Sequence, residues 1–229
     1  MINSVFERPS NERIATQFHL PGGLVRNYSL VDWAHDGSRV SVAVKLDPAG
    51  RGGSAAMHAL TAGTRLDIAS PRNNFPIRPG EDGGPGRRVL VAGGIGITPL
   101  YAMARHLQSS GQPFDLHYLV RSRPMAAFDH ALRDLGLNGS HHLHCDDTDG
   151  FADFTGLLAA YPEQAHVYVC GPESMLHAVL EASEAVRSAA TAPSSSSGLP
   201  RSSRRHTGRT ARSRSRWPPL ERSTRSPPG

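Results

Sequence analysis

The sequence predicts an α/β fold preceded by a β fold: an N-terminal antiparallel β-barrel, then a doubly wound parallel sheet, then a disordered tail. Three observations predict it. Up to residue 78, short runs with alternating apolar residues are separated by Gly- and Pro-containing turns, which suits a small antiparallel barrel. Residues 79–87, PGEDGGPGR, have the composition of a linker. From Arg88 onward, apolar strand-like runs alternate with helix-length segments, the rhythm of a parallel sheet with crossover helices.

Each element follows in order. Residues 1–15 are polar and weakly patterned, so the start of the first domain (1–78) is not fixed. A strand is expected at 15–20, a Pro-Gly-Gly turn at 21–23, and a second strand in LVRNYSLVDW (24–33). SRVSVAVKLD (38–47) alternates as a half-buried strand does. RGGSAAMHALTAG (51–63) begins as a loop and carries a short helix; RLDIASPRNNFPI (65–77) reads as a strand ending in a Pro-bounded loop. In the second domain (88–184) the order is strand 88–92, helix 98–110, strand 114–120, helix around 124–135, strand 140–145, helix around 153–160, strand 166–171 and helix 173–186. Thr98 is a good N-cap for the first of these helices, and Pro99 fits its first turn.

Charge is unevenly distributed. Residues 185–229 hold ten Arg and one acid, Glu221, a net of +9, while the remaining chain carries 15 basic and 19 acidic side chains, a net of −4. The Ser-, Arg- and Pro-rich tail offers too few apolar residues to bury and is expected to be disordered. It contains no Lys, and Lys45 is the only one in the chain. That imbalance motivates the expectation that the tail is an out-of-frame reading of a GC-rich segment and that the start is misplaced, which sequencing the locus tests. Two cysteines, Cys145 and Cys170, make neither a disulfide framework nor a four-thiolate cluster and read as reduced. MINSVFERPSNERI has no apolar signal-peptide core and no run is long enough to span a bilayer, so a cytoplasmic protein without membrane contact is expected.

The chemistry centres on RVLVAGGIGITPL (88–100). Gly94 to Pro99 nearly fits G-x-G-x-x-G, but Pro occupies the last glycine position, so the usual dinucleotide fingerprint fails. Two readings are then even on spacing alone. In one, the glycines let the backbone of Gly94, Ile95 and Gly96 approach an anionic pyrophosphate at the start of a helix. In the other, they are a tightly packed strand–helix turn. GRGGS (50–54) can form a nest of backbone N–H groups with a Ser hydroxyl, which binds phosphate, or can be a flexible loop. Arg26 has the planar fork that suits phosphate, and strand alternation puts Arg26 and Tyr28 on one face and Ser29 on the other; an exposed Arg and an ordinary barrel Tyr fit as well. HHLHCDD (141–147) splits its ligands between two faces, matches no zinc spacing, and is read as solvated polar residues, with no metal.

RNYSL, GRGGS, SPRNNF, GGIGITP and CGPESM occur in that order over roughly residues 17–183. Together they resemble the ferredoxin–NADP⁺ reductase superfamily, in the branch of the phthalate dioxygenase and vanillate demethylase reductases. The resemblance implies a flavin-binding barrel followed by a nicotinamide-binding domain, carrying electrons from NADH through FMN towards an oxygenase. By resemblance, Arg26 pairs with the flavin phosphate, Tyr28 packs beside the isoalloxazine or ribityl, Ser29 lies near the reactive ring nitrogen, and Leu30 completes the motif. Ala43, Val44 and Lys45 line the flavin, and Gly52, Gly53 and Ser54 hold its phosphate. Arg72, Asn73 and Phe75 of SPRNNF match the loop that closes the barrel. Gly94, Ile95, Gly96, Thr98 and Pro99 meet the nicotinamide dinucleotide, Arg121 and Ser122 its adenosine ribose, and Cys170, Gly171, Pro172 and Met175 the nicotinamide, with Ser29 and Cys170 at the site of hydride transfer. FMN is expected, with FAD open, and NADH, with NADPH open because no acid follows the second parallel strand.

The chain departs from the family in two respects. Twenty-five residues before RNYSL hold fewer strands than the family barrel has, so the barrel is expected to be incomplete. The C-x₄-C-x₂-C spacing of a [2Fe–2S] domain is absent from this chain, so electrons are expected to go to a separate ferredoxin or oxygenase component or to small-molecule acceptors. Two other functions fit the residues: a remnant that binds NAD(P) but holds flavin weakly and transfers no electrons, and a protein that binds nucleic acid or anionic partners through its Arg-rich tail, the weaker of the two.

Overall fold

The computed structural model describes residues 15–34, 36–72, 77, 87–137, 140–161 and 165–191. The expectations for 1–14, for most of the linker, for Asn73 and Phe75, and for the tail from 192 onward lie outside the described residues.

The first lobe is a curled four-stranded antiparallel sheet in the order β3-β2-β1-β4, a half-barrel. β1 (Ala15–Leu20) and β2 (Leu24–Trp33) form a hairpin across Pro21–Gly23, paired from Ala15 with Ser29 to Leu20 with Leu24. On one face, Phe18, Leu20 and Leu30 are buried, and Phe18 meets Tyr28 edge-to-face at 5.7 Å. β3 is Val40–Val42 and β4 is Asp67–Ile68, with α1 (Gly53–His58) between them. The strand expected over 38–47 thus ends at Val42. Beyond it Asp47 is committed to a turn: its carboxylate accepts from the Ala49 N–H (3.1 Å) and its carbonyl from the Gly50 N–H (3.1 Å), and these local bonds compete with a ladder. The β2–β3 register shifts between Leu30 and Asp32, and the bulge skips Val31 in the pairing with β3. Arg72 bridges Ala15, which ties the SPRNNF segment to the half-barrel.

The second lobe is a parallel sheet in the order β7-β6-β5-β8. Its strands are β5 (Arg88–Gly93), β6 (Phe114–Val120), β7 (His141–Cys145) and β8 (His166–Cys170). Its helices are α2 (Ile97–Ser109), α3 (Asp129–Asp134), the one-turn α4 (Asp146–Asp149), α5 (Phe154–Ala159) and α6 (Glu173–Thr191). Alternation along the strands sends Leu90, Leu116 and Tyr118 to one core with Leu100, Met103 and Leu132 of α2 and α3. It sends Val89, Val91 and Leu119 to the other, with Leu157, Leu158, Val179 and Ala182 of α5 and α6. Three differences from the sequence reading have local causes. The helix expected over 124–135 is broken into a 3₁₀ turn (Arg123–Met125) and α3, because Pro124 sits at the start of the turn and Phe128 turns aside to pack on Tyr101 at 5.1 Å. α4 was not expected. α6 continues past 186 to Thr191 because Val186 still packs on the second core. Among the described residues no helix is long and apolar enough to cross a membrane.

The lobes are latched by Arg105 on α2. Its Nη1 donates to the Val31 carbonyl at the bulge (3.1 Å) and to Asp32 Oδ1 (2.6 Å), while Arg39 approaches the other Asp32 oxygen at 3.1 Å. Burial pushes the Asp32 carboxyl up, but the Arg105 hydrogen bond and the Arg105 and Arg39 charges outweigh it and hold the group below its ordinary pKa.

HHLHCDD is not a solvated strand end. His144 is 8% exposed, and its Nε2 pairs with the Gly150 carbonyl at 2.7 Å. His142 stacks on His117 of β6 with centroids 4.7 Å apart, and His117 Nε2 meets the Tyr161 hydroxyl at 2.7 Å. β6 and β7 are neighbours in the sheet, which the sequence alone did not reveal. Burial, then the neighbouring His142 and His141, push His117 down to about 3; burial lowers His142 and His141 as well.

These histidines fold neutral while the unfolded chain gains protons on them below about pH 6.5. Stability is full above that pH and falls as pH drops towards 3, by about 1.4 kcal/mol per pH unit for a histidine that stays uncharged in the fold. Thermal unfolding followed from pH 7.5 to 5 is expected to show a falling Tm, with a shallower slope for His117→Gln.

Candidate functional site

At the carboxyl ends of the parallel strands lies a crevice of about 910 Å³. Strand order reverses between β5 and β8, and such switch points hold ligands in open α/β sheets. The crevice walls come from the ends of β5 (Gly93, Gly94, Ile95), β6 (Leu119, Val120, Arg121), the β7–α5 connection (Asp146, Phe151, Ala152) and the β8–α6 turn (Pro172, Ser174, Met175). Ala43, Val44 and Lys45 of the half-barrel close another side. One cavity is therefore built by both lobes, and its volume suits a sizeable organic ligand.

The glycine cluster serves packing and opening at once. A Cβ at Gly96 would lie 2.1 Å from the Cys170 carbonyl oxygen, so the start of α2 sits directly against the end of β8. Gly94 differs: its φ is +53° and nothing lies within 4 Å of where a Cβ would stand, so its bare backbone faces open space in the crevice wall. The cluster is therefore tightly packed at Gly96 and open to the crevice at Gly94. Thr98 is not the N-cap. Gly94–Gly96 form a 3₁₀ turn that brings the helix start forward to Ile97, Gly96 takes the cap position, and the buried Thr98 hydroxyl donates to the Ile95 carbonyl at 3.1 Å. Pro99 stays in the first turn, buried beside it.

A second group assembles on the half-barrel. The Arg26 side chain lies over Gly53, where a Cβ would come within 2.6 Å of its Nε, and its Nη2 donates to the Arg51 carbonyl at 2.6 Å. The turn at Gly52, the αL residue that opens α1, thus meets Arg26 directly. Ser54 is already occupied: its hydroxyl accepts the Asp47 N–H at 3.0 Å and lies 3.3 Å from the Asp47 carbonyl. At the other end of α1, His58 Nε2 pairs with the Val44 carbonyl at 2.9 Å. One short helix, roughly 9 Å long at 1.5 Å per residue, links the Arg26 cradle to the 43–45 wall of the crevice.

No family model matches the chain. Vanillate O-demethylase oxidoreductase of Pseudomonas sp. strain HR199 is 42% identical over 166 residues, 71% of this chain and 51% of that protein. Phthalate dioxygenase reductase of Burkholderia cepacia is 37% identical over 182 residues, 76% of this chain and 53% of that protein. A solved phthalate dioxygenase reductase, described as a modular structure for electron transfer from pyridine nucleotides to [2Fe–2S], superposes with a TM-score of 0.66 at 31% identity, over 77% of this chain and 57% of that one. The chain is thus similar, over most of its length, to oxygenase reductases of the phthalate dioxygenase and vanillate demethylase kind. It spans about half the length of the curated relatives it matches.

The residues that the resemblance places at the cofactors fall into three places. Ala43, Val44, Lys45, Gly94, Ile95, Arg121, Pro172 and Met175 line the crevice. Arg26 meets the turn at Gly52 and Gly53 in the cradle, while the Ser54 hydroxyl is turned to Asp47; Tyr28 lies on the same strand face as Arg26, and burial raises its hydroxyl, against the Arg26 charge. Leu30 is buried in the half-barrel core, and Ser29 is half-buried opposite Ala15 on β1. Gly96, Thr98 and Pro99 are buried behind the crevice wall. Ser122 opens the 3₁₀ turn after β6. Gly171 packs on Gly93 and Met175. Cys170 packs on the first core, and burial raises its thiol pKa, so it stays an uncharged small side chain at neutral pH. Sequence reasoning missed Asp146, Phe151 and Phe154 at the crevice. The available signal was position, since all three follow the carboxyl end of a parallel strand.

Gly96→Ala is expected to destabilise the fold by about 1–3 kcal/mol, because the carbonyl it meets is main chain and cannot rotate away. Gly94→Ala is expected to cost about 1 kcal/mol, from its positive φ alone. Paired thermal or denaturant melts of the two variants measure the difference.

Proposed function

We propose that this chain is a flavin-dependent NAD(P)H oxidoreductase of the cytoplasm, a reductase component passing electrons from NADH through FMN to a separate ferredoxin or Rieske-type aromatic-ring oxygenase. The observation that carries this reading is the shared crevice: a half-barrel segment and the carboxyl ends of the parallel strands wall one cavity, so two planar rings held by different lobes can be brought together.

The residues present fit such a pair. The Arg26 fork beside Gly52 and Gly53 is suited to a phosphate, since a guanidinium offers five donors in a plane and, among the described residues, two are engaged, with the Val25 and Arg51 carbonyls. The length of α1 matches a ribityl chain running from that cradle to a ring against Ala43, Val44 and Lys45. Tyr28 packs beside the chain, and Ser29 with the bulge after Leu30 turns the strand towards the ring edge. The exposed backbone at Gly94 and Ile95 accommodates a pyrophosphate. Pro172 and Met175 support the nicotinamide, and the small, uncharged Cys170 behind them allows close ring approach. Bound FMN supplies the conversion between a two-electron hydride donor and one-electron acceptors. The protein's part is to hold both rings, exclude water between them and keep the lobes in register through Arg105 and Asp32.

The test is to load the purified chain with FMN and titrate it anaerobically with NADH. Bleaching of the flavin band is expected, and Arg26→Ala is expected to weaken FMN retention roughly tenfold or more while leaving the dinucleotide lobe folded. A chain that stays colourless with excess FMN and reduces no dye would sink the proposal.

A further inference from the structure

One carboxylate stands where the elements that wall the crevice meet. Asp32 lies on β2 just past the bulge, opposite Ser41 of β3. Its two oxygens are held from different lobes. Oδ1 accepts from Arg105 Nη1 of α2 at 2.6 Å, and Oδ2 lies 3.1 Å from Arg39 Nη2. Arg39 directly precedes β3, which runs on into Ala43, Val44 and Lys45, the half-barrel wall of the crevice. α2 follows the Gly94–Gly96 turn, whose Gly94 and Ile95 wall the crevice from the other lobe. Four residues of extended chain take Arg39 to Ala43, roughly 13 Å, and eight residues of helix take Ile97 to Arg105, roughly 12 Å. Asp32 is the shared corner of two arms of nearly equal length, and both far ends line the crevice. One turn earlier on α2, Tyr101 meets Phe128 of the crevice wall edge-to-face at 5.1 Å, so a shift of α2 moves that wall as well. The Asp32 and Arg105 side chains are 31% and 39% exposed. An ion pair this open to water adds little to stability, so what it supplies is a fixed distance.

We infer that Asp32 is a positioning residue: by holding Arg39 and Arg105 on one carboxylate, it sets how far the 43–45 wall stands from the Gly94 turn. It thereby sets how closely two rings held by the two lobes approach. This rests on the reading of the crevice as their meeting place and adds which residue fixes its width. Asp32 acts through the two arms and contacts neither ring. Transfer between bound groups is steep in distance, and a misplacement of about 1 Å costs as much as a hundredfold in rate. An amide in place of the carboxylate keeps the volume and one acceptor oxygen but turns an NH₂ group towards a guanidinium, which releases one arm.

The experiment compares wild type, Asp32→Asn, Arg105→Ala and the double variant. It measures the anaerobic rate of flavin bleaching at saturating NADH, the equilibrium binding of FMN and of ADP-ribose, and amide hydrogen exchange in the unliganded chain. Arg105→Ala cuts the same link from the other lobe, so a poorly folding Asp32→Asn does not decide the matter. Both single variants are expected to bleach roughly tenfold to a hundredfold more slowly. Their affinities for FMN and ADP-ribose are expected to stay at the wild-type values, because each of these ligands is held within one lobe. Exchange over residues 39–45 is expected to speed up while exchange in β5 and β6 does not change. The double variant is expected to be no slower than the slower single one, since both substitutions cut one link. Wild-type bleaching rates in both single variants, or losses of FMN and ADP-ribose affinity as large as the loss of rate, overturn the assignment and leave the reading of the crevice intact. A wild type that holds FMN and is not bleached by NADH overturns both.

Discussion

The contact between the end of β8 and the start of α2 governs the rest of the second lobe. Gly96 sits against the Cys170 carbonyl, and Gly93 against Pro172 and Met175, with no space for a side chain at either position. That closeness brings the β5 and β8 turns together on the line where strand order reverses. Dense packing on one side leaves a gap on the other, because α2 leads away towards β6 and α6 away from β8. The crevice is the geometric remainder of these two departures, and the positive φ of Gly94 opens its wall.

The lobes meet through a different kind of contact. Arg105 reaches from α2 to a carbonyl freed by the bulge in β2 and to Asp32 beside it. A bulge weakens a sheet locally but exposes main-chain acceptors, and here the freed acceptor is used to fasten the half-barrel to the parallel-sheet lobe. Because Ala43, Val44 and Lys45 belong to the half-barrel and Gly94 to the other lobe, the shape of the crevice depends on that fastening.

The polar groups sorted themselves by burial rather than by residue type. Arg87 donates to Asp115 through Nε (2.9 Å) and Nη2 (2.5 Å), and the Asp115 side chain is only 4% exposed. The stacked histidines lie beside this pair with Tyr161, whose hydroxyl pKa burial pushes up, followed by the Asp115 charge. A His-rich strand that looks like a surface in sequence is a neutral layer in the sheet, held in place by neighbours far away in the chain.

The sequence by itself determined the order of the strands and longer helices, the two-lobe division and the places of both glycine turns, because these follow from local periodicity and from the conformations that Gly and Pro allow. β6 was legible to the residue, since Phe114, Leu116, Tyr118 and Val120 alternate along FDLHYLV and form one continuous apolar face that needs no partner to be recognised. The end of β3 was not legible, because it depends on which strand lies opposite and on Asp47 bonding locally instead. Tertiary structure alone decided that Gly96 is a packing residue and Gly94 an opening, that His117 meets His142, and that Asp146 and Phe151 stand across the crevice from Pro172. Those facts depend on strand order, which is set by which apolar faces bury one another across the whole sheet and leaves no local mark on the residues involved.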